Sequence, residues 1–166
     1  MSFSVFEENQ RGAVYYTSAG ELNPIITMQR NQVANNCISL YGNFSTCVSA
    51  IKFDIQNHQD VFFHNNFVTK NIGGLFIKAG SSGTATALRG LLHNNVFEEN
   101  IKRVTLHLEG RQTSPYQQIT MLKNYFTRSD VAHEPVLKLY QVRLTDLDIS
   151  PCFTLPLLLI VWLFSG

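Results

Sequence analysis

The chain has 166 residues, the length of one ordinary domain, with 13 Lys and Arg against 12 Asp and Glu. A net charge of +1 excludes a nucleic-acid arm, an acidic tail and a polybasic membrane patch, each of which needs a lopsided balance. A hydrophobic share of 45% argues against disorder, and charged residues at 15% argue against a charge-rich helical bundle; fourteen asparagines supply much of the polarity instead.

In chain order, Ser4-Val5-Phe6-Glu7-Glu8-Asn9 comes almost at once after Met1, with no basic or apolar leader that would read as a signal peptide. The hexapeptide is the first of five copies. Asn31-Gln32-Val33-Ala34-Asn35-Asn36 follows 27 residues later and Asn66-Phe67-Val68-Thr69-Lys70-Asn71 a further 35. Asn95-Val96-Phe97-Glu98-Glu99-Asn100 and Asn124-Tyr125-Phe126-Thr127-Arg128-Ser129 continue at steps of 29. Each copy carries a polar residue, an apolar one two places later and usually an asparagine three beyond that.

The flanks keep the same register. Ahead of the copies stand Ile26-Thr27-Met28, Val61-Phe62-Phe63, Gly90-Leu91-Leu92 and Ile119-Thr120-Met121. Behind them stand Ile38-Ser39-Leu40, Leu75-Phe76-Ile77, Val104–Leu108 and Val136–Leu139. Period-two alternation of β-branched and aromatic residues predicts strands, and the Asn and Gly clusters between them predict bends that tolerate positive φ. Three short strands per unit of about 29 residues describe a rung of a right-handed parallel β-helix. About five rungs over residues 1–148 make a stub on the order of 24 Å long. Phe6, Val33, Val68, Phe97 and Phe126 are expected to stack inward. Asn9, Asn36, Asn71 and Asn100 are expected to form an amide ladder at a bend. The competing architecture is a β-sandwich, which rarely repeats one hexapeptide at one angular position.

Three segments break the step and predict loops: Asn43–Ser49, Ala79–Thr86 and Gly110–Tyr116. Cys37 and Cys47 bracket the first, as a possible disulfide, and Asn43-Phe44-Ser45 between them is an N-glycosylation sequon. Together they favour an extracellular origin. The alternative of two buried thiols in a cytosolic protein stays open, since three cysteines do not decide it. Residues 149–166 carry no charge, and 153–164 are nearly all apolar around Pro156. Twelve residues of helix reach about 18 Å, short of a bilayer core of about 30 Å. The segment reads as a buried tail, a cap over the last rung or the end of a truncated reading frame, with a short membrane-associated segment as the alternative.

Chemistry is sparse. Residues 79–86 (AGSSGTAT) lack the Gly-Lys-Ser/Thr ending of a phosphate loop and the spacing of a nucleophile elbow. His58, His64, His93, His107 and His133 form no metal-binding pair, so neither a metal nor another cofactor is expected, and His64 and His93 read as stacked repeat positions. Hydrolysis of a polysaccharide needs two carboxylates about 5–10 Å apart. Asp146 with Asp148, or Asp54 with Asp60, are the candidates for that alternative function. Glu98-Glu99 echoes Glu7-Glu8 and reads as a solvated edge. No catalytic residue is assigned, and the chain reads as a non-enzyme.

The Asn-Asn-x-Phe-type units, followed by Gly73-Gly74-Leu75-Phe76-Ile77-Lys78 and Leu106-His107-Leu108-Glu109-Gly110, resemble the β-helix repeats in the ectodomain of the insect bark beetle (Anakonda) family, over roughly residues 2–148. That family consists of single-pass transmembrane proteins of tricellular junctions. The resemblance implies a slice of a junction ectodomain on the extracellular face of the plasma membrane. It implies an adhesion scaffold with a protein or glycan partner at cell-cell contacts, no nucleic acid, and membrane attachment only through an anchor this chain lacks. No functional residue of that family maps onto a motif here.

Overall fold

The computed structural model describes residues 1–18, 25–37, 47–55, 59–79, 88–101, 103–110, 118–127, 136–140, 144–148 and 159–162. All regular elements among them are strands, numbered here in chain order, and they stack as three parallel sheets. Sheet one holds β1 (Val5–Glu7), β4 (Gln32–Ala34), β7 (Phe67–Thr69), β10 (Val96–Glu98) and β13 (Tyr125–Thr127). Sheet two holds β2 (Val14–Ser18), β5 (Ile51–Ile55), β8 (Leu75–Ala79), β11 (Leu106–Glu109), β14 (Leu137–Tyr140) and β16 (Leu159–Trp162). Sheet three holds β3 (Ile25–Gln29), β6 (Gln59–His64), β9 (Leu88–His93), β12 (Gln118–Leu122) and β15 (Leu144–Asp148). One strand from each sheet makes a rung. The architecture is the parallel β-helix of about five rungs expected from the repeat.

Alternation decides which side chains go inward. In sheet one Phe6 pairs with Val33, Val33 with Val68, Val68 with Phe97 and Phe97 with Phe126. The last four are buried, and the Phe97 and Phe126 rings stack 5.0 Å apart. Sheet two contributes Ile51, Phe53, Leu75, Ile77, Leu106, Leu108, Leu137 and Leu139; sheet three contributes Met28, Val61, Phe63, Leu92, Ile119 and Met121. These residues form one continuous core along the axis.

The corners explain the asparagine pairs. Every described residue just before a corner asparagine has positive φ: Arg30, Asn65, Asn94 and Lys123 at one corner, Asn35, Lys70 and Glu99 at the other. Phe3 and Glu8 take the same conformation in the first rung. In each Asn-Asn pair the first residue makes the left-handed bend, which asparagine tolerates better than most residues. The second turns its amide inward. The bend residue is therefore distinct from the ladder residue.

The second rung departs from the sequence expectation. Ile38–Leu40 lie outside the described residues, and the strand that fills that column is β5, placed after the insertion. β5 pairs with β2 on one side and β8 on the other, so the inserted segment leaves the stacking register intact. Within 149–166, β16 pairs in parallel with β14 and extends sheet two by one strand.

Candidate interaction surface

Two asparagine columns of four members each run along the described solenoid. In the expected column Asn9 Nδ2 donates to Asn36 Oδ1 at 2.8 Å, Asn36 to Asn71 at 3.0 Å and Asn71 to Asn100 at 2.9 Å. The backbone N–H of each donor asparagine also reaches the same acceptor oxygen. A second column, which sequence reasoning missed, links Asn31, Asn66, Asn95 and Asn124 by the same pattern at 2.9–3.1 Å. Its signal was present as the first residue of four of the five aligned copies. Asn36, Asn71, Asn100, Asn66, Asn95 and Asn124 are all buried. Eight of the fourteen asparagines are thus structural.

Cys37 and Cys47 are joined in a disulfide, with Cα atoms 5.7 Å apart. Asn43 lies outside the described residues. The bridge packs against the first rung: Cys37 N–H donates to Asn9 O at 2.7 Å, and Ala13 N–H donates to Ala50 O at 2.7 Å. Gly12, at φ +114°, comes so close that an added Cβ would sit 3.1 Å from Ser49 O and 3.8 Å from Cys47 Sγ.

Asp54 and Asp60 do not share one sheet face. Asp54 faces outward on β5 of sheet two, 3.9 Å from Lys52, whereas Asp60 belongs to β6 of sheet three. Arg89 on the next rung grips Asp60 through two hydrogen bonds of 2.8 Å. Asp146 and Asp148 stand on β15 in register with Thr120 and Leu122. Glu7 accepts from Gln32 at 3.1 Å and Glu98 from Thr69 at 3.5 Å, each with a neighbouring rung. His64 and His93 are in register on the outer face of sheet three. Among the described residues no three His, Cys, Asp or Glu side chains gather as a metal site, and no helix is long and apolar enough to cross a membrane.

The outer face of sheet two is the most differentiated surface. One row reads Tyr15, Lys52, Phe76, His107, Lys138 across five rungs. Lys52 Nζ lies 5.0 Å from the Tyr15 ring centroid and 5.9 Å from that of Phe76, while Phe76 and His107 stack at 4.5 Å. The parallel row reads Thr17, Asp54, Lys78, Glu109, Tyr140, with Lys78 and Glu109 paired at 3.4 Å. Aromatic and charged side chains at rung spacing combine apolar area with directional contacts, the composition found at protein interfaces; Tyr15 and Tyr140 are exposed at the two ends of the face, and Phe76 between them is covered. At the rung-one end this face opens into a cleft of about 230 Å³ lined in part by Val48 and Ser49, which follow Cys47.

No protein-family profile and no solved structure matches the chain. It is 49% identical over 132 residues, 80% of its own length, to Protein bark beetle of Drosophila melanogaster, and it spans 4% of the length of that curated relative. The asparagine-cornered repeats thus belong to a chain that is related in sequence to one short stretch of Protein bark beetle.

Proposed function

We propose that this chain is a non-enzymatic scaffold module of an extracellular cell-junction ectodomain, presenting the outer face of sheet two and its adjoining loops to a protein or glycan partner. The observation that carries this reading is the 49% identity to Protein bark beetle along most of the chain. Two physical features support it. A disulfide between Cys37 and Cys47 suits an oxidising compartment. A rigid stack tied by two amide columns holds surface groups at fixed spacing, as a binding scaffold requires.

The test is immunostaining of unpermeabilised epithelium with an antibody raised against the folded chain. Surface label concentrated where cells meet, above all at vertices, is the expected result. Label that appears only after permeabilisation and fills the cytosol would refute the extracellular assignment. Release of new reducing ends or unsaturated products from pectin or alginate, abolished by Asp60→Asn or Asp146→Asn, would refute the non-enzymatic one.

A further inference from the structure

The cleft at the rung-one end of sheet two has two walls of different origin. One is the first rung, with Arg11, Gly12 and Tyr15. The other is the segment that follows the disulfide, with Val48 and Ser49, and Lys52 stands at the junction. Its position is fixed by covalent and backbone links. Cys47 is bonded to Cys37, Ala13 N–H donates to Ala50 O, and Gly12 allows the two walls to approach within van der Waals contact. Tyr15 is 64% exposed and Val48 54%, so both present apolar area to the concavity.

The lining charges are both positive. Among the described residues Arg11 makes no ion pair, and the Lys52 ammonium, 5.0 Å from the Tyr15 centroid, has Asp54 as its acidic neighbour, at 3.9 Å and outside the lining. A cation beside an aromatic face, with a second cation across a small concavity, recognises an anion attached to an apolar body. The volume is below the roughly 300–1,000 Å³ of drug-sized pockets and suits one ring-sized unit. A carboxylate side chain of a peptide would draw Lys52 off the Tyr15 ring, satisfy the cations and leave that ring face uncovered.

We propose that this cleft binds one acidic sugar residue, its carboxylate held by Arg11 and by Lys52, whose ammonium turns off the Tyr15 ring and leaves that face to the sugar's C–H groups. The inference deepens the scaffold reading by naming a ligand class for the presented face. It is tested in solution without cells, so either can fail while the other stands.

The experiment titrates the disulfide-intact full chain with methyl glucuronide, methyl glucoside and acetate, following backbone amide shifts. Expected are saturable shifts at Gly12, Ser49 and Lys52 with the glucuronide, and none at equal concentration with the glucoside or with acetate. Arg11→Gln, at an exposed corner, is expected to weaken binding about tenfold. Tyr15→Ala is expected to weaken it measurably, and Arg89→Gln on sheet three to leave it unchanged. Absence of saturable shifts, or unchanged binding by Arg11→Gln, overturns the site. Equal binding of the glucoside overturns the role of the carboxylate, and equal binding of acetate overturns the role of the sugar ring.

Discussion

Asn36 gives its side-chain amide to Oδ1 of Asn71 at 3.0 Å, and its backbone N–H reaches the same oxygen at 2.9 Å, across 35 residues of chain. This is the longest step in the repeat, yet the bond geometry equals that of the 29-residue step from Asn71 to Asn100. The amide column therefore holds rung register independently of what is inserted between rungs.

Asn71 is the clearest test of that role. It accepts two hydrogen bonds from Asn36 and donates to Asn100 Oδ1 and Val33 O while fully buried. Asn71→Ala leaves several of these groups without partners, and a loss of about 2–4 kcal/mol is expected in urea unfolding. Asn9 ends the same column and is exposed. Asn9→Ala should cost no more than about 1 kcal/mol. Equal losses for the two would show that burial does not set the value of the ladder.

The corner residues give a prediction of opposite sign. Lys70 is exposed, has φ +53° and uses its backbone N–H for a 3.0 Å bond to Glu98 O. A non-glycine residue there bears about 1–2 kcal/mol of left-handed strain. Lys70→Gly keeps the backbone bond and should stabilise the fold by up to about 1 kcal/mol, and Lys70→Val should destabilise it by a similar amount. Thermal unfolding of the pair against the parent chain reads both signs.

Much of the fold was legible because a solenoid repeats each decision. The column Phe6, Val33, Val68, Phe97, Phe126 and the ladder from Asn9 to Asn100 follow from one aligned hexapeptide. The second ladder was hidden because Asn66 and Asn95 follow another asparagine, and the pair read as a single bend. The second-rung strand was misassigned because Ile38-Ser39-Leu40 and Ile51–Ile55 both alternate, and local alternation does not say which follows an insertion. The row from Tyr15 to Lys138 was unreadable as a surface, since its members share a face only once five rungs are stacked.

Two glycines with similar surroundings in sequence should respond differently to a methyl group. At Gly74 an added Cβ would collide with the carbonyl oxygen of buried Thr105, a backbone atom that has no room to yield. Gly74→Ala should cost about 3 kcal/mol or more, or shift the rung. At Gly90 the nearest atoms are side-chain carbons of Ile119 at 3.5 and 3.7 Å, ordinary contact distances. Gly90→Ala should stabilise by about 0.4–1 kcal/mol by restricting the unfolded chain. Parallel urea curves for the two variants test the contrast.

The disulfide should act locally as well as globally. Cys37 and Cys47 enclose a short loop, for which chain-entropy arguments give about 2–3 kcal/mol. The bridge also backs the wall that Gly12, Ser49 and Ala50 build against the first rung. Replacing both cysteines by serine, in a background where Cys152 is also serine, should lower stability by that amount. Amide exchange should then accelerate most at Ala13 and Val14, whose N–H groups donate to Ala50 O at 2.7 and 3.2 Å. The rungs beyond β8 should keep most of their protection, because their ladders run through Asn71, Asn100, Asn95 and Asn124 and meet the bridge through the packing of Ile72 on the two cysteines. Uniform acceleration along the whole solenoid would mean instead that the five rungs open as one unit.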